Sequence, residues 1–122
     1  MATKKEVESF IRKTFEHEEI EKNVFKFLVT TKLGRSQMVF ARVHEEVLQV
    51  TSPVAWQSSV NADQILDLNS SMFGIVKVNG AYGLKHNAFI EDIDESEIES
   101  ALTVLGIYAD DLEIALGLED EF

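Results

Sequence analysis

The fold class is decided by residues 24–52, VFKFLVTTKLGRSQMVFARVHEEVLQVTS. Three runs within this stretch are rich in β-branched and aromatic residues, as strands are: 24–32, 37–44 and 47–52. They are joined by short turns at Gly34 and at Glu45-Glu46, and strands joined by so few residues lie antiparallel. The sequence therefore predicts an antiparallel meander of three strands, which Pro53 ends.

Alternation within the second run divides its side chains between two faces of the sheet. One face receives Met38, Phe40 and Arg42, and the other receives Val39, Ala41 and Val43. Because both faces carry apolar groups, the pattern indicates that something covers the second face as well as the first.

A helix is predicted on each side of this meander. Residues 3–19 have apolar side chains at helical spacing, and Thr3 forms a capping box with Glu6 three positions on. After an irregular stretch that follows Pro53, Asn61 is placed to cap a short helix over 62–70.

The second half of the chain adds a hairpin and a long helix. Strands are predicted over 73–78 and 82–90, and Asn79-Gly80 lies between them. This dipeptide is the strongest hairpin signal in the chain, because a type I′ turn needs positive φ at both central residues. The last helix begins near Asp94, whose side chain can cap it.

The predicted order of elements is α-β-β-β-α-β-β-α. Strands that are grouped between helices, and do not alternate with them, indicate an α+β fold with an antiparallel sheet packed by helices on one face. A chain of 122 residues suits one core, so we expect a single domain over residues 1–122.

The last helix carries an apolar stripe at spacings of three and four residues, formed by Leu102, Leu105, Ala109, Leu112 and Leu116. Residues 87–122 also hold 12 acidic side chains and no basic one. The simplest interpretation places these acids, including Asp110-Asp111, on the solvent side. Gly106 in mid-helix allows either a kink or close packing, and Gly117 is a reasonable stop.

Charge and composition exclude several classes of partner. The chain has 11 basic and 22 acidic side chains, so it lacks a basic footprint for nucleic acid or for an anionic membrane. No apolar run approaches the roughly 20 residues that span a bilayer. The opening residues, MATKKEVESFIRK, lack the apolar core of a signal peptide, and cysteine is absent. We therefore expect a cytoplasmic protein.

No complete set of catalytic or metal-binding residues is recognisable. The histidines His17, His44 and His86 are not at ligand spacing from one another, and the glutamates around His17 are more typical of a solvated helix end than of a cation site. Glycines lie in a hairpin and not at a strand-to-helix turn, so no phosphate-binding loop is present. We expect no enzymatic activity, no metal and no cofactor.

What remains is an apolar surface. Five residues in strands or at their edges are the candidate protein-binding residues: Phe25, Phe27, Met38, Phe40 and Trp56. Methionine and phenylalanine suit an adaptable surface that binds a peptide or a second copy. The alternative interpretation is that these residues pack against the first helix and fill the core.

Two segments carry a resemblance to a known family: ADQILDLNSSMFGIVKVNGAYGLKHNAFIEDID at 62–94 and SEIESALTVLGIYADDLEIAL at 96–116. Together with the element order, they resemble the type III secretion chaperone fold of the Tir-chaperone type, and the bacterial sensory-transduction-regulator-like (YbjN-like) family that shares it. The resemblance implies a homodimeric, non-catalytic protein that holds an extended partner segment on its first helix and first three strands.

Two other functions stay open at this point. One is a regulatory or assembly subunit that uses the acidic last helix as its contact, which predicts salt-sensitive association. The other is a metal- or small-molecule-dependent enzyme, which predicts a pocket where His17 or His86 meets convergent carboxylates.

Overall fold

The structure, a computed structural model, describes residues 3–32, 34–69, 72–118 and 122. In chain order its elements are α1 (Lys4–Thr14), β1 (Glu18–Glu21), β2 (Val24–Lys32), β3 (Arg35–Val43), β4 (Val47–Trp56), α2 (Ala62–Leu68), β5 (Gly74–Val78), β6 (Ala81–Phe89), a 3-10 turn (Ile90–Asp92) and α3 (Glu95–Ala115).

The strands form one six-stranded sheet in the order β1-β2-β3-β4-β6-β5, and every neighbouring pair is antiparallel. This confirms the predicted α+β class and the meander of β2, β3 and β4. The order along the chain is α-β-β-β-β-α-β-β-α, which has one strand more than the predicted order.

The additional strand, β1, replaces the end of the helix predicted over 3–19. Phe15 follows α1 and is already extended, with φ −115° and ψ 140°. Its ring packs edge-on against Phe27, with 5.6 Å between the ring centroids, and Glu18 then pairs with Lys26 at the sheet edge. β1 is almost entirely glutamate, a residue with low strand propensity. The strand therefore forms because it pairs with β2.

The prediction that Pro53 ends the third strand of the meander is wrong, because β4 continues to Trp56. Pro53 stays paired with Gly83 of β6, whereas the β3–β4 pairing extends only as far as Phe40 opposite Thr51. A proline has no N–H for a ladder, so it is tolerated where its strand has a partner on one side only.

Side chains replace the ladder in the gap between β3 and β4. Gln37 Nε2 donates to Ser52 Oγ at 2.9 Å and to the Pro53 carbonyl at 2.5 Å. Ser52 Oγ in turn donates to the Met38 carbonyl at 2.6 Å. Gln37 is fully buried, and its Oε1 has no partner within the described part of the chain. These polar contacts hold the two strands together where their backbones no longer meet.

The predictions that rest on local signals are confirmed. Three side-chain caps accept a backbone N–H as expected: Thr3 from Glu6, Asn61 from Gln64 and Asp94 from Glu97. Asn79 and Gly80 have φ values of 51° and 82°, as a type I′ turn requires. After α3, Gly117 has φ 75° and the Leu118 N–H bonds to the Glu113 carbonyl at 3.1 Å, which is a Schellman closure.

Gly106 serves close packing and does not break α3, which is continuous through it. A Cβ placed on Gly106 would lie 3.1 Å from Val39 Cγ2 and 3.2 Å from Val29 Cβ. The missing side chain therefore lets the helix backbone approach β2 and β3 closely.

The helices pack on one side of the sheet, which we call the covered face. It carries the strand residues of the hydrophobic core: Phe25, Phe27, Val39, Ala41, Val43, Leu48, Val50, Val54, Ala55 and Leu84. The apolar stripe of α3 lies against them as predicted, with Leu102, Leu105, Ala109 and Leu112 buried. Within the described residues, no helix combines the length and the apolar character needed to cross a membrane.

The opposite side of the sheet is the open face. Register places these residues on it: Lys26, Leu28, Met38, Phe40, Arg42, Gln49, Thr51, Pro53, Val76, Val78, Ala81, Gly83, Lys85 and Phe89. The predicted division of β3 is thus confirmed, because Val39, Ala41 and Val43 are buried under the helices whereas Met38 and Phe40 are only half-buried.

Candidate functional site

The open face exposes large apolar side chains from three different strands. Leu28 of β2 is 67% exposed, Phe89 of β6 is 65% exposed and Val78 of β5 is 57% exposed. Met38 and Phe40 belong to β3, which lies between β2 and β6 in the sheet, and both are half-buried. Single exposed apolar residues are ordinary on a protein surface, whereas a set of them on one uncovered sheet face is typical of an interaction site.

A hollow of about 280 Å³ lies in this face. Its floor is formed by small residues, among them Gly83 and Ala81, and its walls include Phe40 on one side and Val76 and Val78 on the other. Gly83 lines the hollow without a side chain, and a Cβ there would lie 2.6 Å from the Ser52 carbonyl oxygen. At this position β4 and β6 therefore approach too closely for a side chain.

Three basic side chains, Lys26, Arg42 and Lys85, lie on the same face as the hollow. Lys26, Phe40, Thr51 and Lys85 are paired in one row across four neighbouring strands, β2, β3, β4 and β6. Arg42 lies two residues from Phe40 on β3 and lines the hollow itself. The open face therefore combines apolar groups with positive charge, although the chain as a whole carries a net charge of −11.

The candidate binding residues predicted from the sequence do not all lie on this face. Met38 and Phe40 do, but Phe25 and Phe27 point to the covered face and belong to the core. Phe25 is enclosed by the ring of His17, 5.5 Å away, and by the guanidinium of Arg12, 5.3 Å from its centroid. Phe25 and Phe27 are therefore corrected to core residues, which is the alternative interpretation given above.

Trp56, the remaining candidate, is partly exposed at the end of β4. Its ring lies 5.4 Å from the ring of Phe122, and the Phe122 carbonyl accepts a hydrogen bond of 2.7 Å from the Met38 N–H. At Met38 the β3 strand no longer pairs with β4. The Phe122 carbonyl therefore accepts from a backbone N–H that has no partner in the neighbouring strand. Trp56 is thus brought near Met38 but contacts a segment of its own chain.

Alternation and register place Leu28, Arg42 and Phe89 on the same face as Met38 and Phe40, although none of the three was predicted to be a binding residue. The signal was present for Leu28, which lies opposite Met38 across the β2–β3 pair. It was weaker for Phe89, because Phe89 joins the face only through pairing with Val47, a contact between residues far apart in sequence.

The acids of α3 divide into two groups, which contradicts the expectation that they lie on the solvent side. Asp110 and Glu113 are fully buried, whereas Glu95, Glu97 and Glu99 are exposed. The two buried acids are spaced three residues apart next to the apolar stripe, and that spacing is the sequence signal that could have identified them.

Arg35 is the partner that makes this burial possible. Its guanidinium donates to Asp110 Oδ1 at 2.8 Å and to Glu113 Oε1 at 3.0 Å. Thr31 Oγ1 adds a third contact, donating to Asp110 Oδ2 at 2.8 Å, and Lys32 Nζ lies 2.6 Å from Asp111 Oδ1. The cluster fastens the last turns of α3 to the ends of β2 and β3.

The pKa of Asp110 reflects this environment. Burial acts to raise it, but the hydrogen bonds from Arg35 and Thr31 and the charges of Arg35 and Lys32 outweigh burial and hold the pKa below its usual value. A carboxylate that stays charged and fully hydrogen-bonded is a structural anchor, and it has no readily exchanged proton for general acid catalysis.

The histidines are dispersed over the fold. His17 Nδ1 lies 2.8 Å from the Phe15 carbonyl, His44 Nε2 lies 3.4 Å from Gln49 Oε1, and the His86 ring packs edge-on against Phe73. Within the described ranges, no three His, Asp or Glu side chains are grouped so that they could hold a metal ion.

Comparison with known proteins gives no family assignment. No family model matches the chain, and no curated protein matches it.

Proposed function

We propose that this chain is a non-catalytic, chaperone-like protein-binding module that holds a segment of a partner protein against the open face of its sheet. The observation that carries the proposal is the exposure of Leu28, Val78 and Phe89 on a face that no described helix covers, together with a hollow in that face that Val78 lines. Burying such side chains against a partner contributes about 25 cal/mol per Å² of apolar surface.

The proposed surface is narrower than the one implied by the resemblance to secretion chaperones. That resemblance includes the first helix, but Val7 and Ile11 of α1 are buried in the core. The uncovered sheet is the part of the implied surface that stays available. A cytoplasmic location belongs to the same proposal.

Homodimerisation is the second part of the proposal, and the resemblance implies it. The two edges of the sheet differ in how well they are protected against strand pairing. β1 presents Glu18, Glu19 and Glu21, and charged residues protect an edge, whereas β5 is mostly apolar with Lys77 as its one charge. Light scattering on the purified chain tests this part, and a strictly monomeric species would remove it without touching the binding face.

An assembly role for the acidic last helix has weaker support. Asp110 and Glu113 are buried in ion pairs with Arg35 of β3. These two acids therefore add no negative charge to the surface that the helix exposes to solvent. The exposed acids that remain lie mostly near its first turns, where they complement the helix dipole.

Paired surface variants test the binding face. Leu28→Ser with Phe89→Ser removes apolar groups from the open face, and the control, Leu66→Ser with Ile114→Ser, does the same on the helical side, where these residues are 56% and 41% exposed. Tagged chains are purified from the source cells, and co-purifying proteins are quantified by mass spectrometry. We expect the open-face variant to lose partners that the wild type and the control retain, and equal retention by both variants would contradict the proposal.

A further inference from the structure

The charge on the open face is not neutralised by the chain itself. Lys26, Arg42 and Lys85 make no ion pair within 4.0 Å with any residue that the structure describes. Acids are twice as frequent as bases in this chain, yet Glu18 at the β1 edge is the one acid that register places beside these three cations. Arg35, on the other face of the same sheet, is by contrast held by two carboxylates.

The hollow that Arg42 lines, on the same face as Lys26 and Lys85, is slightly smaller than a usual small-molecule site. Sites for small molecules are usually about 300–1,000 Å³, and this hollow has a volume of about 280 Å³ and is open to the surface. Its apolar walls, Phe40, Pro53, Val76 and Val78, suit a large apolar side chain, and Arg42 and Gln49 at its rim suit a carboxylate.

A symmetric pairing of two open faces is unfavourable. A two-fold axis brings the same patch of each copy together, so the positive patch of Lys26, Arg42 and Lys85 would face an identical positive patch. Like charges opposed across an interface cost several kcal/mol in other complexes. The occupant of this face therefore differs from the face itself, and it must bring negative charge.

We infer that the open face binds an acidic protein segment in which large apolar residues are interleaved with aspartate or glutamate, and this inference rests on the proposed function. One apolar side chain enters the hollow, and flanking carboxylates pair with Lys26, Arg42 and Lys85. Segment 116–122 of this chain, LGLEDEF, has this composition, and its Phe122 already contacts Trp56 at the end of the same sheet.

Three fluorescent peptides test the inference by anisotropy with the full chain. The acidic probe is EDLEFDLE with blocked ends, the neutral probe replaces each Glu and Asp by Gln and Asn, and the basic probe replaces them by Lys. We expect the acidic probe to bind about tenfold more tightly than the neutral one, since exposed ion pairs contribute a few tenths to about 1 kcal/mol each. We expect the preference to shrink as salt is raised.

Two triple variants of equal charge separate the open face from the general field. Lys26→Gln, Arg42→Gln and Lys85→Gln remove the charges of the open face, whereas Lys5→Gln, Lys13→Gln and Lys22→Gln remove three charges from α1 and the β1–β2 turn. The acidic preference should fall to near onefold in the first triple and persist in the second. Circular dichroism checks that both triples fold, and the single variant Arg42→Gln replaces the first triple if it does not.

Other outcomes overturn the inference. Equal binding of all three probes, or failure of the acidic probe to bind, contradicts the acidic specificity and leaves the proposed function to its own test with native partners. A single-stranded thymidine oligonucleotide that binds where the acidic peptide does not, and depends on the same three cations, would replace the inferred partner by a nucleic acid.

Discussion

The two faces of this sheet carry the same kinds of residue but differ in how far those residues are buried and paired. β3 carries an arginine on each: Arg35 on the covered face is held by Asp110 and Glu113, and Arg42 on the open face has no ion-pair partner among the described residues. Large apolar residues divide in the same way, with Phe25 in the core and Leu28, three positions on in β2, mostly exposed. The buried contacts that stabilise the fold are therefore concentrated on the covered face, and the open face is the one that we propose for binding.

The largest expected difference between the faces comes from the two arginines. Arg35→Met leaves Asp110 and Glu113 buried without their cation, and breaking a buried ion pair on one side costs about 3–5 kcal/mol. Arg42→Met removes an exposed charge and should change the free energy of unfolding by no more than about 0.5 kcal/mol. Urea unfolding of both variants measures the difference, and equal losses would show that the cluster does not anchor α3.

The partners of the buried acids Asp110 and Glu113 could not be predicted from the sequence. Caps, the Asn79-Gly80 turn and the end of α3 depend on residues within a few positions, so they were predicted correctly. The partners of Asp110 are Thr31 and Arg35, more than 70 residues away, and no local pattern connects them. Long-range pairing likewise decided β1 and the continuation of β4.

The candidate site shows the same division. Alternation in β3 correctly separated Met38 and Phe40 from the residues that face the other way. It could not decide which side of the sheet the helices would cover, and so Phe25 and Phe27 were grouped with the exposed residues. The full set of open-face residues can be defined only from the register of β6 against β4, which places Lys85 and Phe89 on the same face as Met38 and Phe40.

A smaller difference is expected from two glycines in neighbouring strands. Gly83→Ala places a Cβ 2.6 Å from the Ser52 carbonyl oxygen, where the contact atom is backbone, so we expect a loss of about 1–3 kcal/mol or more. Gly74→Ala, on the same face of β5, meets no atom within 4 Å and should be nearly neutral. The two melting temperatures compare them, and a neutral Gly83→Ala would mean that β4 and β6 are not in close contact at the hollow.

The smallest expected effect is the contribution that Asp110, on the covered face, makes to the dependence of stability on pH. Because the pKa of Asp110 is lower in the folded chain, the unfolded chain binds a proton first as pH falls. This contribution is complete above the usual aspartate pKa of about 3.9 and is lost as pH falls below it toward the folded value.

Asp110→Asn tests this dependence, with the exposed Asp63→Asn of α2 as control. Urea unfolding is measured between pH 6 and about pH 3, the range that brackets the aspartate pKa. Asp110→Asn should be less stable at pH 6 and should lose less further stability on acidification than the control. A parallel loss in both variants would assign the acid sensitivity to other carboxylates.

The most direct measurement of the central claim is position-specific photo-crosslinking in the source cells. A benzophenone amino acid replaces Phe89 on the open face in one chain and Leu66 of α2, of similar exposure, in the other. We expect discrete protein adducts at position 89, few or none at position 66, and loss of the adducts when Lys26, Arg42 and Lys85 are replaced by Gln. Adducts of equal yield at both positions, or at position 66 alone, would contradict the claim that the open face is where this chain binds its partner.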